Sequence, residues 1–415
     1  MACLIRSLLL LLTTTIACFR HGAMAEYPKV FAHYMQYADV DISVYKNEIE
    51  LAQSKGIDAF ALNTNVWRQP LADRMYQAAQ ELGSNFKLFF SADMHIDSNG
   101  QRLSSQDLQA MLAFHSHPNQ MYIDGKALFT SWLGNDTNWN DVFQEAGGKD
   151  LFFFIPFFPT DGSPSGVRSM LQQWGGTIDG LFSWDTSAWN MDGSLDRNYL
   201  SACNDTGKTY MASVSPWFFT TSNDCKVKAN YEGPKLWLTK WKEMIDLSVP
   251  LVEIVTWNDW VESSYVASIF PGQGDAASAV SAFPHEAFLE LGSYFIDWYK
   301  SGLQPGISSN SMYMFYVTQS KNAGGCLLKS ALDDKVYVVT MLSTEGGTLV
   351  INSGSRNQSF SAGVGVSSFS MDFEPGKQSA SFGDGKASLV GEQVIRSDAD
   401  VGASNLNVYS KYLNF

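Results

Sequence analysis

Cysteine is scarce in this chain, five in 415 residues, and no two of them form a Cys-x-x-Cys pair. The six histidines stand at no metal-ligand spacing, so a zinc-organised or iron–sulfur fold is excluded and no metal is expected. Positive charge is also short, with 28 Lys+Arg against 42 Asp+Glu and a formal net charge of -14. That deficit argues against nucleic acid and anionic membrane surfaces as partners. No Gly-rich phosphate loop follows the first apolar run, which disfavours a doubly wound dinucleotide fold, and no cofactor is expected. Beyond the N-terminus no apolar run is long enough to span a bilayer.

The one long apolar run, Ser7 to Ala17, follows Arg6 and ends in the small-residue exit Ala23-Met24-Ala25, the pattern of a cleaved signal peptide over residues 1–25. Loss of Arg6 and Arg20 with it takes the net charge from -14 to -16, and the mature protein is expected to be secreted to the exterior or cell wall. Of the cysteines only Cys203, Cys225 and Cys326 then remain. Cys203 and Cys225 are the candidate pair for a disulfide closing a short loop, with Cys326 left over, although spacing alone does not fix the pairing. Three sequons, at Asn135, Asn204 and Asn357, are candidate glycosylation points on surface loops.

What the mature chain does have is alternation. Strand candidates at Val30–Met35, Ile57–Asn63, Phe86–Ser91, Ala127–Trp132, Leu151–Pro156, Gly180–Trp184, Thr209–Val214 and Leu251–Thr256 are interleaved with helical patterns such as Ser43–Lys55, which stops at Gly56. Leu71–Leu82, Asp107–His115, Val167–Trp174 and Pro234–Leu247 repeat the theme, and Pro284–Lys300 supplies the last helix. Eight strand–helix repeats predict a (β/α)8 barrel over residues 26–304. From Met312 the pattern becomes short alternating runs separated by Gly, Ser, Asn and Asp, which predicts an all-β sandwich over residues 305–415. With no apolar surface stripe in view, a monomer is expected.

The stretch Leu251–Ser264 organises the reading. A β-branched run surfaces in a segment holding Trp257, Asp259, Trp260 and Glu262. If the chain turns helically there, residues three apart share one face at about 5–6 Å between Cβ atoms, and two such carboxyls push one pKa upward, leaving an acid beside a base. In a barrel the site sits at the C-terminal strand ends. Those ends carry His33, Asn63, Asp93, His95, Trp132, Trp184, Trp217, Trp257 and Trp260 and no Lys or Arg. Aromatic rings and amides without cations suit a neutral polyhydroxylated ligand better than a phosphate or carboxylate.

Four motifs in order, Phe31-Ala-His-Tyr-Met35, Gly56-Ile-Asp-Ala-Phe-Ala-Leu-Asn63, Phe86-Lys-Leu-Phe-Phe-Ser-Ala-Asp93 and Thr256-Trp-Asn-Asp-Trp-Val-Glu-Ser263, resemble the fungal α-1,3-glucanases, or mutanases, of glycoside hydrolase family 71. The resemblance implies an inverting endo-hydrolase of α-1,3-glucan, a barrel joined to a C-terminal β-sandwich, and catalytic acids at Asp259 and Glu262, with Asp93 essential. Here Val261 stands where the family usually has Gly, Ser264 where it has His, and Val266-Ala-Ser268 closes the motif differently, which bears on the linkage and chain length accepted. On general mechanistic grounds the expected roles are Glu262 as proton donor and Asp259 as the base that activates water, with Asp93 as the alternative base or as the group that orients the other two. The competing readings are a hydrolase of another α-glucan and a non-hydrolytic wall-polysaccharide binder.

Overall fold

A computed structural model describes residues 28–97, 99–184, 192–220, 226–227, 233–323, 332–400 and 405–415. The expected leader, Cys225 and Cys326 lie outside the described residues. Eight parallel strands carry the first part of the chain: β1 (Lys29–Met35), β2 (Ala59–Thr64), β3 (Lys87–Asp93), β4 (Lys126–Trp132), β5 (Phe152–Phe157), β6 (Gly180–Ser183), β7 (Thr209–Val214) and β8 (Leu251–Ile254). Ladder pairing runs continuously in the order β5-β4-β3-β2-β1-β8-β7-β6. Between the ends of that ladder the Asp179 amide donates to the Phe154 carbonyl at 2.8 Å. The sheet is therefore curled until β5 and β6 meet.

Period-2 alternation sorts each strand into an outward and an inward row. Val30, Phe60, Leu88 and Phe154 face out into a helix-covered shell, while Phe31, Ala61, Phe89, Leu128, Phe182, Met211 and Leu251 form one inner cluster. The inward row continues upward in steps of two residues, from Phe31 to His33, Ala61 to Asn63, Phe89 to Asp93, Leu128 to Trp132, Phe182 to Trp184 and Leu251 to Glu253. The expected site residues thus extend the core column toward the C-terminal strand ends.

The shell helices are α1 (Ile42–Ser54), α2 (Gln69–Leu82), α3 (Ser105–Leu112), α4 (Trp139–Glu145), α5 (Pro164–Trp174), α6 (Ser194–Thr206), α7 (Lys235–Leu247) and α8 (Glu286–Ser301). Their ends obey local chemistry: Ser104 and Asp107 make a capping box on α3, and Gly83 ends α2 in the left-handed conformation. Helices α4 and α6 do not stand out in the sequence. The first is only seven residues long, and the second buries Asp196 where an apolar residue is anticipated. That acid is neutralised inside the protein by Lys240 of α7, which also reaches Glu243 at 2.9 Å, and it accepts from the Tyr210 hydroxyl at 2.6 Å. Cys203, on the same buried face of α6, is a free thiol whose pKa burial pushes up to about 12. The inner face of the helix holds the sulfur against the sheet, and Cys225, the partner expected for it, lies outside the described residues.

The rest is β9 (Ser311–Val317), β10 (Lys335–Leu342), β11 (Gly347–Ser353), β12 (Arg356–Ala362), β13 (Gly365–Asp372), β14 (Gln378–Phe382), β15 (Ala387–Val390) and β16 (Val408–Asn414), in two four-stranded antiparallel sheets ordered β13-β10-β9-β16 and β12-β11-β14-β15. In the first sheet β9 is buried on both faces. Met312, Met314 and Tyr316 of β9 pack toward the second sheet, whereas Tyr313, Phe315 and Val317 join the helix shell of the first part of the chain. Phe315 meets Phe288 of α8 with ring centroids 4.6 Å apart. Of the sequons, Asn135 is exposed in a turn, while Asn204 and Asn357 are exposed on α6 and β12 rather than on loops.

Because β9 contributes to two cores, the chain is expected to unfold as one unit. Phe315→Ala should cost about 3–5 kcal/mol and lower a single calorimetric transition. Cleavage after Lys300 should leave the N-terminal part insoluble. Two separate transitions, with only the later one unmoved by the substitution, would show instead that the halves are independent.

Candidate active site

His33 is the floor of the site. Fully buried on β1, it has Nδ1 2.7 Å from Glu253 Oε1 on β8 and Nε2 2.9 Å from Asn63 Nδ2 on β2. With the carboxylate accepting at Nδ1 and the amide donating at Nε2, one neutral tautomer satisfies both bonds. Three adjacent strands are joined through one imidazole. Two carboxyls at the strand ends, Asp93 and Asp259, lie within reach of this ring, which draws both toward their ionised forms only when it carries a proton on both nitrogens. Burial opposes this and is the larger influence on each, so both pKa values are raised.

Asp259 is built into its turn. The chain leaves β8 through a cis peptide between Val255 and Thr256, and the Trp257 amide donates to the His33 carbonyl at 2.7 Å. Asn258 then clamps the end of β1, accepting from the Met35 amide at 2.7 Å and donating to its carbonyl at 3.1 Å. Asp259 Oδ1 accepts from the Tyr37 hydroxyl at 2.9 Å and from the amides of Val261 and Glu262 at 3.1 and 2.9 Å. All three bonds fall on Oδ1, which leaves Oδ2 without a protein donor among the described residues. Burial and the neighbouring carboxylates of Asp259 and Glu262 raise the Tyr37 hydroxyl far above its ordinary range, so it serves as a donor. Positive φ falls on Ser263 and not on Val261. Val261 accordingly occupies the turn without the left-handed conformation that would demand glycine, its side chain half exposed. Glu262 is half buried on the same turn, and its carbonyl accepts from the Phe219 amide at 2.9 Å.

Across the mouth from this turn stand Asp93, with Oδ1 accepting from the His95 amide at 3.0 Å, and an aromatic wall. Trp132 lies 6.5 Å from Trp184 and 5.9 Å from His95, and Trp184 sits edge-on to His33 at 4.8 Å. Both indoles are half buried, and Trp132 Nε1 is a buried donor without a protein acceptor among the described residues. Three other tryptophans depart from expectation. Trp257, Trp260 and Trp217 are 0%, 2% and 2% exposed, so their rings support the turn from behind and cannot stack on a sugar. Trp257 Nε1 donates to Glu48 at 3.2 Å, Trp260 packs on Tyr265 at 4.6 Å, and Trp217 Nε1 donates to the Leu406 carbonyl at 3.0 Å.

Several functional neighbours are not evident from the sequence. Glu48, fully buried on α1, accepts from Tyr34 at 2.7 Å, from Trp257 and from Gln273 at 2.8 Å, and desolvation raises it to about 7. His285 lies flat against Tyr265 at 4.0 Å and reaches Asn407 and the Val408 carbonyl, both at 3.0 Å, tying the segment after the Asp259 turn to β16. Glu253 had the clearest signal, an acid inside an otherwise apolar strand, where burial demands a partner.

A family model described as Glycosyl hydrolase family 71 matches residues 27–414. The chain is 29% identical over 405 residues to the glucan endo-1,3-alpha-glucosidase agn1 of Schizosaccharomyces pombe, covering 90% of this chain and 91% of that protein. It is 30% identical over 421 residues to a mutanase of Penicillium rubens, covering 94% and 89%. An ascus wall endo-1,3-alpha-glucanase of Schizosaccharomyces pombe is 30% identical over 328 residues, covering 71% and 72%. Among solved structures, an endo-alpha-mannosidase of glycoside hydrolase family 99 from Bacteroides thetaiotaomicron shares the fold with a TM-score of 0.50 at 14% identity, covering 66% of this chain and 97% of that one.

Glu48 gives the site a measurable pH signature. Its folded pKa of about 7 exceeds the ordinary 4.5, so the fold favours its protonated form. Its contribution is complete below the ordinary value and is lost as pH rises through the folded one, at up to about 1.4 kcal/mol per pH unit. Urea midpoints should therefore fall across that window, and Glu48→Gln should flatten the decline. The variant does not abolish it, because Asp93 and Asp259 are shifted in the same sense. A wild-type midpoint that holds constant over the window would contradict the assignment.

Proposed function

The chain belongs to glycosyl hydrolase family 71, and from that premise we propose that this glucan-degrading hydrolase is a secreted endo-enzyme that cleaves α-1,3-glucan with inversion through Asp259, Glu262 and Asp93. The activities for which the relatives are named support this substrate. Secretion follows from the leader-like first 25 residues, and the curled sheet is taken as a closed (β/α)8 barrel on the Asp179–Phe154 contact. The observation that carries the chemistry is Asp259: buried, raised in pKa, held by three donors on Oδ1, with Oδ2 left for the substrate.

That environment favours a division of labour opposite to the one expected from the sequence. The carboxyl whose proton is retained by burial is the natural acid, so Asp259 donates from Oδ2 to the glycosidic oxygen as the bond to the anomeric carbon breaks. Glu262, half exposed on the same turn, takes a proton from the water that attacks the opposite face of the ring. One bond breaks and one forms at the anomeric carbon, and an α-linkage yields a β-configured product. Asp93 holds a ring hydroxyl or the water across the mouth, and His33, fixed between Glu253 and Asn63, keeps the floor polar but dry.

Asp259→Asn and Glu262→Gln should each lower hydrolysis of α-1,3-glucan by about 10²–10⁴-fold with the circular dichroism spectrum unchanged. An aryl α-glucoside with an activated leaving group should restore turnover in the acid variant alone, and azide in the base variant alone. NMR of the first product should show the β-anomer. Wild-type rates in both variants would end this reading, and an α-anomer would replace inversion with a retaining mechanism.

A further inference from the structure

A cavity of about 260 Å³ opens beside Asp93 at the C-terminal ends of β2 and β3, away from the Asp259 turn. We propose that this cavity, walled by Asn65, Trp67, His95, Gln101 and Arg102, is a subsite that receives one neutral sugar ring of the polysaccharide and thereby sets the length of the products. The inference rests on the glucanase reading above and deepens it.

The wall is built in advance of any ligand. The loop after β3 folds over Asp97, whose Oδ1 accepts from the amides of Asn99 at 2.9 Å and Gln101 at 2.8 Å, while the Asp97 amide donates to the Gln101 carbonyl at 2.8 Å. Those bonds hold the Asp97 carboxyl below its usual range. Arg102 Nη1 lies 2.7 and 2.8 Å from the two carboxyl oxygens of Asp136, and Asp107 is spent in the capping box of α3. The charges of Asp97, Arg102 and Asp107 are thus occupied within the protein, which leaves no unpaired cation to select an anionic ligand. What remains for a ligand is polar: one oxygen of Asp93, together with the side-chain amides of Asn65 and Gln101 and the imidazole of His95, which make no hydrogen bond to protein among the described residues. Trp67 supplies the flat surface. It packs edge-on against Phe90 at 5.5 Å and Phe114 at 6.3 Å, is half buried, and lines the cavity.

Amides and an imidazole around an indole match the hydroxyls and apolar face of a pyranose ring. The cavity falls below the range of about 300–1,000 Å³ typical of drug-sized ligands, so a single ring fits and a folded oligosaccharide does not. Because the walls are already ordered, little conformational entropy is lost on binding. A ring held here lies on one side of Asp93, so only chains long enough to reach past the cleavage point gain the contact.

The test is a length series of α-1,3-linked gluco-oligosaccharides, tagged at the reducing end, with kcat and KM measured for wild type and Trp67→Ala. KM in the variant should rise about ten-fold for oligosaccharides that reach the cavity and stay unchanged for shorter ones, with the preferred cleavage position moving along the chain. Asn65→Ala and Gln101→Ala, on exposed side chains, should give the same length-dependent pattern at smaller size if Trp67→Ala does not fold. An equal change at every length, or no change at any length in a protein that still hydrolyses the glucan, overturns the subsite. If the wild type cleaves no member of the series, the hydrolytic reading fails separately. Calorimetric titration of the same oligosaccharides then decides the subsite, with equal affinity in wild type and Trp67→Ala as the overturning result.

Discussion

The structure depends on a polar group placed where none could stand alone. Glu253 lies in the interior of the curled sheet with no exposed surface, and His33 beside it is equally buried. A carboxyl or an imidazole in that position without a partner would cost several kcal/mol. Together, with Asn63 completing the row, they exchange hydrogen bonds across β8, β1 and β2 and fix the rotation of three strand ends at once. The Trp257 amide then docks on the His33 carbonyl, so the turn that carries Asp259 starts from a point the buried pair has already set. Packing alone tolerates small shifts of register; a hydrogen-bonded row of three polar side chains does not.

Behind that turn the second part of the chain acts as a buttress. The ring of His285 lies flat on Tyr265, burial holds its pKa down to about 4, and its two nitrogens reach the Tyr265 and Val408 carbonyls. Tyr265 donates to the Phe283 carbonyl at 2.6 Å and Asn407 Nδ2 donates to Tyr265 at 3.1 Å, while Trp217 is bonded to Leu406. Residues separated by more than a hundred positions therefore meet beneath Glu262. The double burial of β9 and this seam have one consequence: the β-sheets belong to the same packed body as the curled sheet, and the turn inherits their rigidity.

Much of this was legible in residue order. Eight strands fall where alternating apolar runs place them, since a parallel sheet covered on both faces writes its strands as short continuous apolar segments. His33, Asn63, Asp93, Trp132 and Trp184 are gathered at one end because the inward parity of each strand carries them there. What escaped did so for physical reasons. Helix α6 hides behind Asp196, whose compensation by Lys240 is a tertiary fact invisible to periodicity. Strand β12, Arg-Asn-Gln-Ser-Phe-Ser-Ala, is an exposed edge with almost no apolar signal. Tyr37 and Glu48 lie in the loop after β1 and on α1, far in sequence from the motif they support, and nothing local marks a tyrosine as the donor to a distant carboxyl.

The tryptophans carry the sharper lesson. Indoles near two carboxyls suggest a sugar platform, yet the same residue is also the largest apolar volume a core can use. Which role an indole takes depends on the backbone direction at its own position. Trp257 and Trp260 flank a turn whose polar side, Asp259 and the amides it caps, already faces the mouth; their side chains are left to point inward, where Glu48 and Tyr265 receive them. Trp132, Trp184 and Trp67 stand at or just beyond strand ends whose inward row has run out of core, so each side chain stays partly exposed. Burying the first set makes Asp259 rigid and desolvated, and exposing the second leaves apolar surface for a ring to cover. The two groups of aromatic residues are thus complementary: one desolvates Asp259 from behind, the other lines the strand ends in front of it.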